Sequence, residues 1–293
     1  MLSSPKPPLV RLGNLFPNRR VYAKCEFLAP GGSFKIRGAK HLMESLRHAG
    51  PLPPLIVPSM GNTALGAAVA AKDYGTKMVG VVPTTLSRAK DEKLQALGVE
   101  LIKVAGGGTD LLRTATELAK SRGGYFVHPH LDANWTDGYQ PIVAEILDEL
   151  PDCRSLVFPV GGGGLLMGLT EYLKKHPRRL ALHGCEAWNY PTYAEFSHPR
   201  AKTIAEGLVL ETPHPPVVHR IQEMDIAIHL VKEEEIRAAL RELFEAQGLI
   251  IEPSSVVTTA LVKSGGEKLE EPIVVVFTGE NIAREDFWGL ISH

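Results

Sequence analysis

Short apolar runs alternate with helical patterns along most of this chain. PLIVPS (residues 54–59), KMVGVVP (77–83) and SLVFPV (155–160) are rich in β-branched residues and are bounded by glycine, proline or polar positions, as buried strands usually are. Between such runs, GNTALGAAVAAKDYG (61–75) and TDLLRTATELAKSRGG (109–124) repeat apolar residues at helical spacing and end in glycine. The alternation predicts an α/β fold with largely parallel sheets.

The pattern also predicts how the chain divides into domains. The strands and helices of residues 55–127 form a self-contained run of about the size of a small domain. We therefore expect a small inserted domain of residues 38–130 and a large domain made of residues 1–37 and 131–293. The proline-rich stretch ETPHPPVVHR (211–220) is interpreted as an irregular surface connection.

Composition limits the classes of partner. The net charge of -1 gives no electrostatic basis for binding nucleic acid or an anionic membrane. The apolar runs are well short of the roughly 20 residues that span a bilayer, and the N-terminus has no signal-peptide pattern. Cys25, Cys153 and Cys185 lie far apart, and any pairing leaves one over, so we interpret them as buried thiols of a reducing compartment. A cytoplasmic protein is expected.

A glycine loop is the strongest local signal for chemistry. An apolar strand, 156–160, runs directly into Gly161, Gly162, Gly163 and Gly164, and a helix is predicted to start at Leu165. Backbone N–H groups at a helix start have no intrahelical partner and bind anions, so the loop predicts a phosphate site rather than a flexible turn. A dinucleotide site is the alternative, but the GxGxxG frame fails here, and a single phosphate matches better.

Three further segments could carry chemistry. SMGNT (59–63) offers backbone and side-chain donors at another helix start, although such a turn is more often only a cap. Lys35 is expected on a strand after a glycine pair and next to Phe34, and a desolvated lysine can form a Schiff base with an aldehyde. Thr278 and Asn281 follow a buried strand, where parallel sheets bind ligands.

Together, these segments resemble the tryptophan-synthase-β-like (fold type II) family of pyridoxal-phosphate enzymes over nearly the whole chain. GGSFKIRGA is similar to the SGSFKxRGA box of that family, SMGNTALGAA to SSGNxAxxxA, and PVGGGGLLMG to the phosphate loop. IEPSS is similar to EPSGA and FTGEN to SGGN, and the order agrees with the serine/threonine dehydratase branch. The resemblance implies two open, mostly parallel α/β domains, with the cofactor in the cleft between them and the small domain mobile. It also implies a homodimer.

The resemblance implies a role for each matching residue. Lys35 would hold pyridoxal 5'-phosphate as a Schiff base and then act as the catalytic base. The implied cofactor-binding residues are Lys35, Phe34, Asn62, Gly161, Gly162, Gly163, Gly164, Leu165 and Thr278. The implied substrate-binding residues are Ser59, Met60, Gly61, Thr63 and Tyr139. Thr278 would meet the pyridine nitrogen, and a neutral hydroxyl there leaves that nitrogen unprotonated, which suits loss of the α proton followed by β-elimination.

Departures from the family boxes bear on the activity. Met60 stands where racemising members have a serine base, so racemisation is not expected. Glu186 is followed six residues later by Thr192 and not by a second carboxylate, so no divalent metal is expected. Tyr139 and Pro141 replace polar residues of the relatives, and Glu280 replaces a glycine. These changes are expected near the substrate, so the resemblance leaves the identity of the substrate open.

The expected function is therefore that of a lyase. It would catalyse α,β-elimination from a small β-hydroxy L-amino acid of the serine or threonine type, giving a 2-oxo acid and ammonia. A β- or γ-replacement, as in cysteine or threonine synthases, is an alternative that GNTALGAA favours. A non-catalytic small-molecule binder is a third reading, against which the retention of Lys35 speaks.

Overall fold

The structure is a computed structural model that describes residues 6–59, 61–86, 88–194, 200–265 and 269–292. It separates into two compact units. Unit 1 comprises Met1–Leu28 and Gln140–His293, and unit 2 comprises Ala29–Tyr139. Unit 2 therefore begins before Lys35 and extends to Tyr139, whereas the sequence interpretation placed the small domain at residues 38–130.

The secondary structure follows the alternation of the sequence. The strands are β1 (Leu9–Arg11), β2 (Val21–Lys24), β3 (Leu55–Val57), β4 (Met78–Pro83), β5 (Glu100–Val104), β6 (Tyr125–Phe126), β7 (Ser155–Pro159), β8 (Ala181–Ala187), β9 (Ala227–Val231) and β10 (Ile273–Val276). The α-helices are α1 (Lys35–Ala49), α2 (Asn62–Tyr74), α3 (Arg88–Ala96), α4 (Gly108–Arg122), α5 (Ala133–Thr136), α6 (Gln140–Glu149), α7 (Gly164–Lys175), α8 (Pro215–Glu223), α9 (Glu233–Gln247), α10 (Pro253–Ser264) and α11 (Arg284–Ile291).

Unit 1 contains a six-stranded sheet in the order β1-β2-β10-β7-β8-β9. Its strand pairs are parallel, except that β1 is antiparallel to β2. In the centre of the sheet, Val274 of β10 pairs with Tyr22 of β2 on one side and with Leu156 of β7 on the other. Because these strands are parallel, the segments that follow β7, β8 and β10 emerge at the same edge of the sheet.

Unit 2 contains a separate four-stranded sheet in the order β5-β4-β3-β6, and its strand pairs are all parallel. Buried residues of β3 and β4, such as Ile56 and Val81, pack against Leu111 and Ala115 of α4. The prediction of an α/β fold with open, mostly parallel sheets is confirmed.

Alanine spacing and a glycine stop define α2. Most of the helix is buried, including Ala64, Ala67, Ala68 and Ala71, so the small side chains permit close packing on several sides. Gly75 ends the helix in the left-handed conformation at φ 71°, and its backbone N–H donates to the carbonyls of Ala71 and Lys72. Only glycine adopts that conformation at little cost, so the sequence marks the end of the helix correctly.

Two local predictions are wrong. Lys35 lies on no strand, because it is the first residue of α1. The stretch 211–220 is not irregular throughout, because α8 begins in it at Pro215 with His214 as N-cap residue. Proline suits the first helical turn, where a backbone N–H has no intrahelical partner, so a proline-rich helix start resembled a turn in the sequence.

The buried groups of unit 1 include three free thiols and one ion pair. Cys25, Cys153 and Cys185 are free and buried, and burial raises the pKa of Cys25 and Cys153 to about 12. Lys24 is fully buried, and its Nζ lies 2.6 Å from Oε2 of Glu145 and contacts the carbonyl of Pro7. This pair joins β2 to α6, and removal of one partner would leave the other charge without its partner.

A membrane span requires a helix that is both long and apolar. Among the described residues, none of the helices meets both requirements.

The His183–His229 pair predicts a pH dependence of stability. Nδ1 of His183 lies 3.1 Å from Nε2 of His229 on the neighbouring strand, and burial lowers the pKa of His183 from 6.5 to about 4. The unfolded chain then binds more protons than the folded one in this range, so the free energy of unfolding falls as the pH drops from about 6.5 to about 4. We expect this loss to be about 1–3 kcal/mol.

Urea unfolding of the wild type and of a His183→Gln variant, measured at several pH values from 4 to 7, tests this expectation. The variant should show a shallower loss of stability with acid, because glutamine does not titrate. Parallel curves for the two proteins would contradict the assignment of the pH dependence to His183.

Candidate active site

The amine of Lys35 lies against an aromatic surface in unit 2. Nζ of Lys35 is 4.5 Å from the ring centroid of Phe34 and 5.9 Å from that of Tyr139. The two rings pack together, with their centroids 4.7 Å apart. Both ring residues are buried. Ring faces at these distances attract an amine and help to hold it in one position.

Trp135 fixes the position of Tyr139. Its indole Nε1–H donates to Oη of Tyr139 over 2.5 Å, and both side chains are fully buried. Burial raises the pKa of Tyr139 well above its usual value, so the hydroxyl remains protonated. Since that hydroxyl is buried and bonded to Trp135, the ring is the part of Tyr139 that lies near the Lys35 amine.

Two glycines allow other helices to approach the start of α1. A Cβ on Gly66 of α2 would lie 2.9 Å from the carbonyl carbon of Lys35. A Cβ on Gly38 would lie 2.5 Å from Nε1 of Trp135. Cβ atoms do not tolerate such distances from backbone or from a rigid indole, so both positions require glycine. The close packing fixes the backbone from which Lys35 and Phe34 project.

The GGS segment before Lys35 combines two left-handed glycines with a buried hydroxyl. Gly31 and Gly32 have φ values of 84° and 70°, which explains the glycine pair in the sequence. Ser33 is buried, and its Oγ has no hydrogen-bond partner among the described residues. Buried hydroxyls are nearly always bonded, so an unpartnered one two residues before Lys35 is a polar group available to a ligand.

The SMGNT turn forms the N-terminus of α2. Gly61 is the N-cap residue and provides no side-chain cap, while its backbone N–H donates to Oγ of Ser59 over 3.3 Å. Thr63 is buried and Asn62 is partly buried. The helix thus begins with backbone N–H groups suited to an anion such as a carboxylate. Met60, predicted to contact the substrate, lies outside the described residues.

In unit 1, the glycine loop leads from β7 into α7. Two of its positions must be glycine, each for a different structural reason. Gly163 is the N-cap residue of α7 at φ 83°, and a Cβ there would lie 2.6 Å from both methyl carbons of Val217. A Cβ on Gly161 would lie 2.8 Å from the carbonyl oxygen of Gly207. The loop is therefore a cradle of bare backbone at a helix N-terminus, as the sequence predicts for a phosphate site.

Distant segments of unit 1 meet next to this loop. Gly207, which contacts the loop, donates its backbone N–H to Oγ of Ser254 over 2.9 Å. Glu252 accepts the backbone N–H of Asn281 over 2.8 Å and donates its own N–H to the carbonyl of Gly279 over 3.0 Å. The structure thus brings TIAEG (203–207), IEPSS (251–255) and FTGEN (277–281) together, although they are far apart in sequence. Glu280, in contrast, is exposed.

Thr278 follows β10 and is almost fully buried, with 6% of its surface exposed. Its Oγ1 lies 3.0 Å from Oγ of Ser255 at the start of α10. The described partner of Thr278 is therefore a neutral hydroxyl. A hydroxyl in this setting can accept or donate one hydrogen bond to a ligand atom without bringing a charge near it.

Glu186 holds a loop and does not present its carboxylate to solvent. It is 1% exposed at the end of β8. Its oxygens accept the backbone N–H groups of Thr192, Tyr193 and Ala194 at 3.0–3.2 Å. Burial raises the pKa of Glu186, while the three amide bonds oppose this effect. Among the described residues, no group of three or more His, Cys, Asp or Glu side chains could hold a metal ion.

Comparison with known proteins identifies the family. Residues 4–279 match the model of the family described as "Pyridoxal-phosphate dependent enzyme". The chain belongs to this family. The catabolic L-threonine dehydratase of Staphylococcus aureus is 30% identical over 304 residues, which cover 98% of this chain and 87% of the dehydratase. The assignment of the sequence to this family, and of pyridoxal phosphate as its cofactor, is confirmed.

Solved structures share the fold. The processed form of threonine deaminase isoform 2 from Solanum lycopersicum has a TM-score of 0.89 and 24% identity, covering 99% of this chain and 85% of that chain. Serine racemase from Dictyostelium discoideum has a TM-score of 0.84 and 26% identity, covering 95% of this chain and 93% of that chain. Enzymes with different reactions thus share this architecture, which shows the fold type but not the reaction.

The described residues of this pyridoxal-phosphate enzyme fit its cofactor. The amine of Lys35 suits an aldehyde, and the aromatic surface beside it suits a planar ring. The bare backbone at Gly161 and Gly163, which any side chain would fill, suits a phosphate. The neutral hydroxyl of Thr278 suits a pyridine nitrogen.

The sequence interpretation missed several supporting residues. Gly38 and Gly66 stand inside boxes that the sequence identified, but only packing shows why they are glycine. Trp135 was not identified, although it stands four residues before Tyr139, which the resemblance implied as a substrate-binding residue, and this spacing could have indicated their contact. Ser255 gave no local signal, because the sequence separation between it and Thr278 is 23 residues.

A Gly163→Ala substitution should damage the phosphate cradle. The left-handed backbone and the contact with Val217 both oppose a Cβ, so we expect a loss of about 1–2 kcal/mol in the free energy of unfolding. We also expect the affinity for pyridoxal phosphate to fall about tenfold or more, which corresponds to about 1.4 kcal/mol or more. Titration of the apoenzyme with the cofactor, followed by protein fluorescence, measures this change.

Gly289→Ala provides the matched control. Gly289 lies in α11, and a Cβ there would meet nothing within 4 Å. Alanine in a helix is about 0.5–1 kcal/mol more stable than glycine, so this variant should be at least as stable as the wild type and should bind the cofactor normally. Normal cofactor affinity in Gly163→Ala would show that the loop does not hold the phosphate.

Proposed function

We propose that this enzyme is an ammonia-lyase of the serine/threonine dehydratase type. Its substrate would be a small β-hydroxy L-amino acid, and its products a 2-oxo acid and ammonia. The observation that carries the proposal is the position of the Lys35 amine at the start of α1, 4.5 Å from the centre of the Phe34 ring. The 30% identity to a threonine dehydratase over 98% of the chain supports the choice of reaction.

Lys35 would have two roles. Its Nζ would carry the cofactor covalently in the resting enzyme, and when substrate is bound the freed amine would take the proton from the substrate Cα. The Phe34 and Tyr139 rings beside the amine would hold it in one position, from which its neutral form could accept the proton.

The other residues would bind and orient. The N–H groups of the glycine loop and of the α7 N-terminus would hold the phosphate, together with the backbone of Leu165. Asn62 would bond the ring hydroxyl. The start of α2, with Ser59, Gly61 and Thr63, would hold the substrate carboxylate, and Met60 would lie close to the substrate. These roles come from the matching motif positions, and the helix starts at Asn62 and Gly164 are compatible with the anion-binding ones.

The reaction balances without an external reagent. Bound pyridoxal phosphate supplies an electron sink that makes the Cα proton acidic. Lys35 would take that proton from the substrate and pass it to the departing β-hydroxyl, which would leave as water. The released enamine tautomerises to an imine, and water hydrolyses the imine to the 2-oxo acid and ammonia. A neutral Thr278 hydroxyl would bond the ring nitrogen without adding a charge, which would suit loss of the Cα proton followed directly by β-elimination.

Turnover against a panel of amino acids tests this function. L-serine and L-threonine should yield 2-oxo acid and ammonia in equal amounts, and D-serine should not form from L-serine. O-acetyl-L-serine with sulfide tests the replacement alternative. Release of cysteine from that pair, without 2-oxo acid from serine or threonine, would contradict the lyase assignment.

Lys35→Ala is the matching catalytic variant. We expect it to lose the visible absorbance of covalently bound cofactor and to lower turnover by about 10²–10⁴-fold or more. Lys40→Ala is its control, because Lys40 lies on the same helix and forms a partly exposed ion pair with Asp73 at 3.4 Å. Lys40→Ala should retain both absorbance and turnover. Absorbance retained in Lys35→Ala would place the cofactor on another lysine.

Activity should be independent of divalent cations. The carboxylate of Glu186 is buried and already accepts three backbone N–H groups, so it is poorly placed to bind a cation. Thr192 adds no second carboxylate, and hard cations bind weakly to a single one. We expect unchanged rates after EDTA treatment and after addition of magnesium. A several-fold loss with EDTA that magnesium restores would contradict this expectation.

A further inference from the structure

Ser255 places a second hydroxyl behind Thr278. Ser255 is fully buried, and its Oγ lies 3.0 Å from Oγ1 of Thr278. In the EPSGA box that IEPSS resembles, the position of Ser255 is a glycine, which has no hydroxyl. The contact is therefore a feature of this chain and not of the family box.

Counting hydrogen bonds shows which roles are open to Ser255. A serine hydroxyl has one proton to donate and two lone pairs. The backbone N–H of Gly279 donates to Oγ of Ser255 over 2.9 Å and occupies one lone pair. The Ser255 proton then has two acceptors within 3.0 Å, namely the carbonyl of Gly279 and Oγ1 of Thr278. That carbonyl also accepts the N–H of Glu252 over 3.0 Å, so it does not depend on Ser255.

The two directions of the Ser255 proton have opposite consequences for Thr278. If Ser255 donates to the Gly279 carbonyl, Thr278 must donate to Ser255, and it can then only accept a bond from a ligand. If Ser255 donates to Thr278, the Thr278 proton is free to point away from Ser255 towards a ligand acceptor. The first arrangement suits a protonated ring nitrogen, and the second suits a neutral one.

We propose that Ser255 is a positioning residue that donates to Thr278 Oγ1 and thereby directs the Thr278 proton to a neutral pyridine nitrogen of the cofactor. This inference rests on the proposed role of Thr278 as partner of that nitrogen. In both arrangements the hydroxyls of Ser255 and Thr278 and the backbone of Gly279 have partners, so the state of the ring nitrogen decides between them. The first requires a positive charge against neutral hydroxyls in a buried position, which desolvation disfavours.

The experiment uses the holoenzyme reconstituted with pyridoxal phosphate that carries ¹⁵N in the ring. The ¹⁵N chemical shift distinguishes a protonated nitrogen from a neutral, hydrogen-bonded one and from a neutral, unbonded one. The wild type should give a neutral, hydrogen-bonded nitrogen. Thr278→Val should give an unbonded one, and Ser255→Ala should move the shift part of the way from wild type to Thr278→Val. The double variant should match Thr278→Val, since Ser255 acts through Thr278.

Cofactor affinity provides a second readout. We expect Ser255→Ala to weaken binding of pyridoxal phosphate to the apoenzyme about two- to tenfold, as the loss of one hydrogen bond does. Thr259→Val is the matched control, because this buried hydroxyl lies on the same helix and bonds only to the carbonyl of Val256 over 2.8 Å among the described residues. It should leave both the shift and the affinity unchanged.

Ser255→Cys covers the case in which Ser255→Ala does not fold. A thiol of similar size still accepts the Gly279 N–H but donates poorly, so this variant should fold and should move the shift in the same direction as alanine. Circular dichroism checks the fold.

The outcomes separate the two levels of the proposal. A protonated ring nitrogen in the wild type would overturn the inference about Ser255 alone. The same holds if the ¹⁵N chemical shift of Ser255→Ala equals that of the wild type while the shift of Thr278→Val differs from it. An unchanged shift in Thr278→Val would overturn both the inference and the proposed role of Thr278. An effect of Ser255→Ala that persists in the Thr278→Val background would show a purely structural role.

Discussion

Parallel pairing of strands within each unit is the constraint on which the candidate site depends. A parallel strand can be followed only by a crossover, so each strand must end at the same edge of its sheet as its neighbours. In unit 1, this edge gathers the glycine loop after β7, Glu186 at the end of β8 and Thr278 after β10. In unit 2, it places the SMGNT turn directly after β3. The candidate site residues are far apart in the sequence, and the topology of each sheet brings those of one unit to the same edge.

Close approach of backbones is the second requirement. The start of α1 is held by α2 and by the Trp135 region, and each contact is possible only because Gly66 and Gly38 lack a Cβ. Gly161 and Gly163 have the same function around the phosphate loop. Glycine costs conformational entropy in a helix or loop, so its use at these positions indicates that exact placement of the backbone outweighs local stability.

In unit 1, several charged side chains are paired or hydrogen-bonded, and the hydroxyls of Thr278 and Ser255 contact each other without a charged partner among the described residues. Thr278 and Ser255 share one short network without a charged member among their described partners. The carboxylate of Glu186, in contrast, is bonded to three backbone N–H groups and holds a loop. The same division applies to the buried Lys24 and the partly buried Glu145, in which each charge has a partner. Charge is used to hold the framework, while the described side-chain partner of Thr278 is a neutral hydroxyl.

The sequence by itself determined the α/β class, the helix stops at residues such as Gly75 and the glycine loop at a helix start, because these features depend on neighbouring residues and on their periodicity. The roles of that loop in binding phosphate and of Lys35 in catalysis stay predictions of the resemblance. The sequence did not predict the helix over 215–223, where proline at a helix start resembles a turn, or the helical position of Lys35. It also gave no indication of the contact between Ser255 and Thr278 or of the steric role of Gly66. Only the tertiary structure decided these, because hydrogen bonds and close contacts between distant segments arise from packing and leave no periodic pattern in the chain.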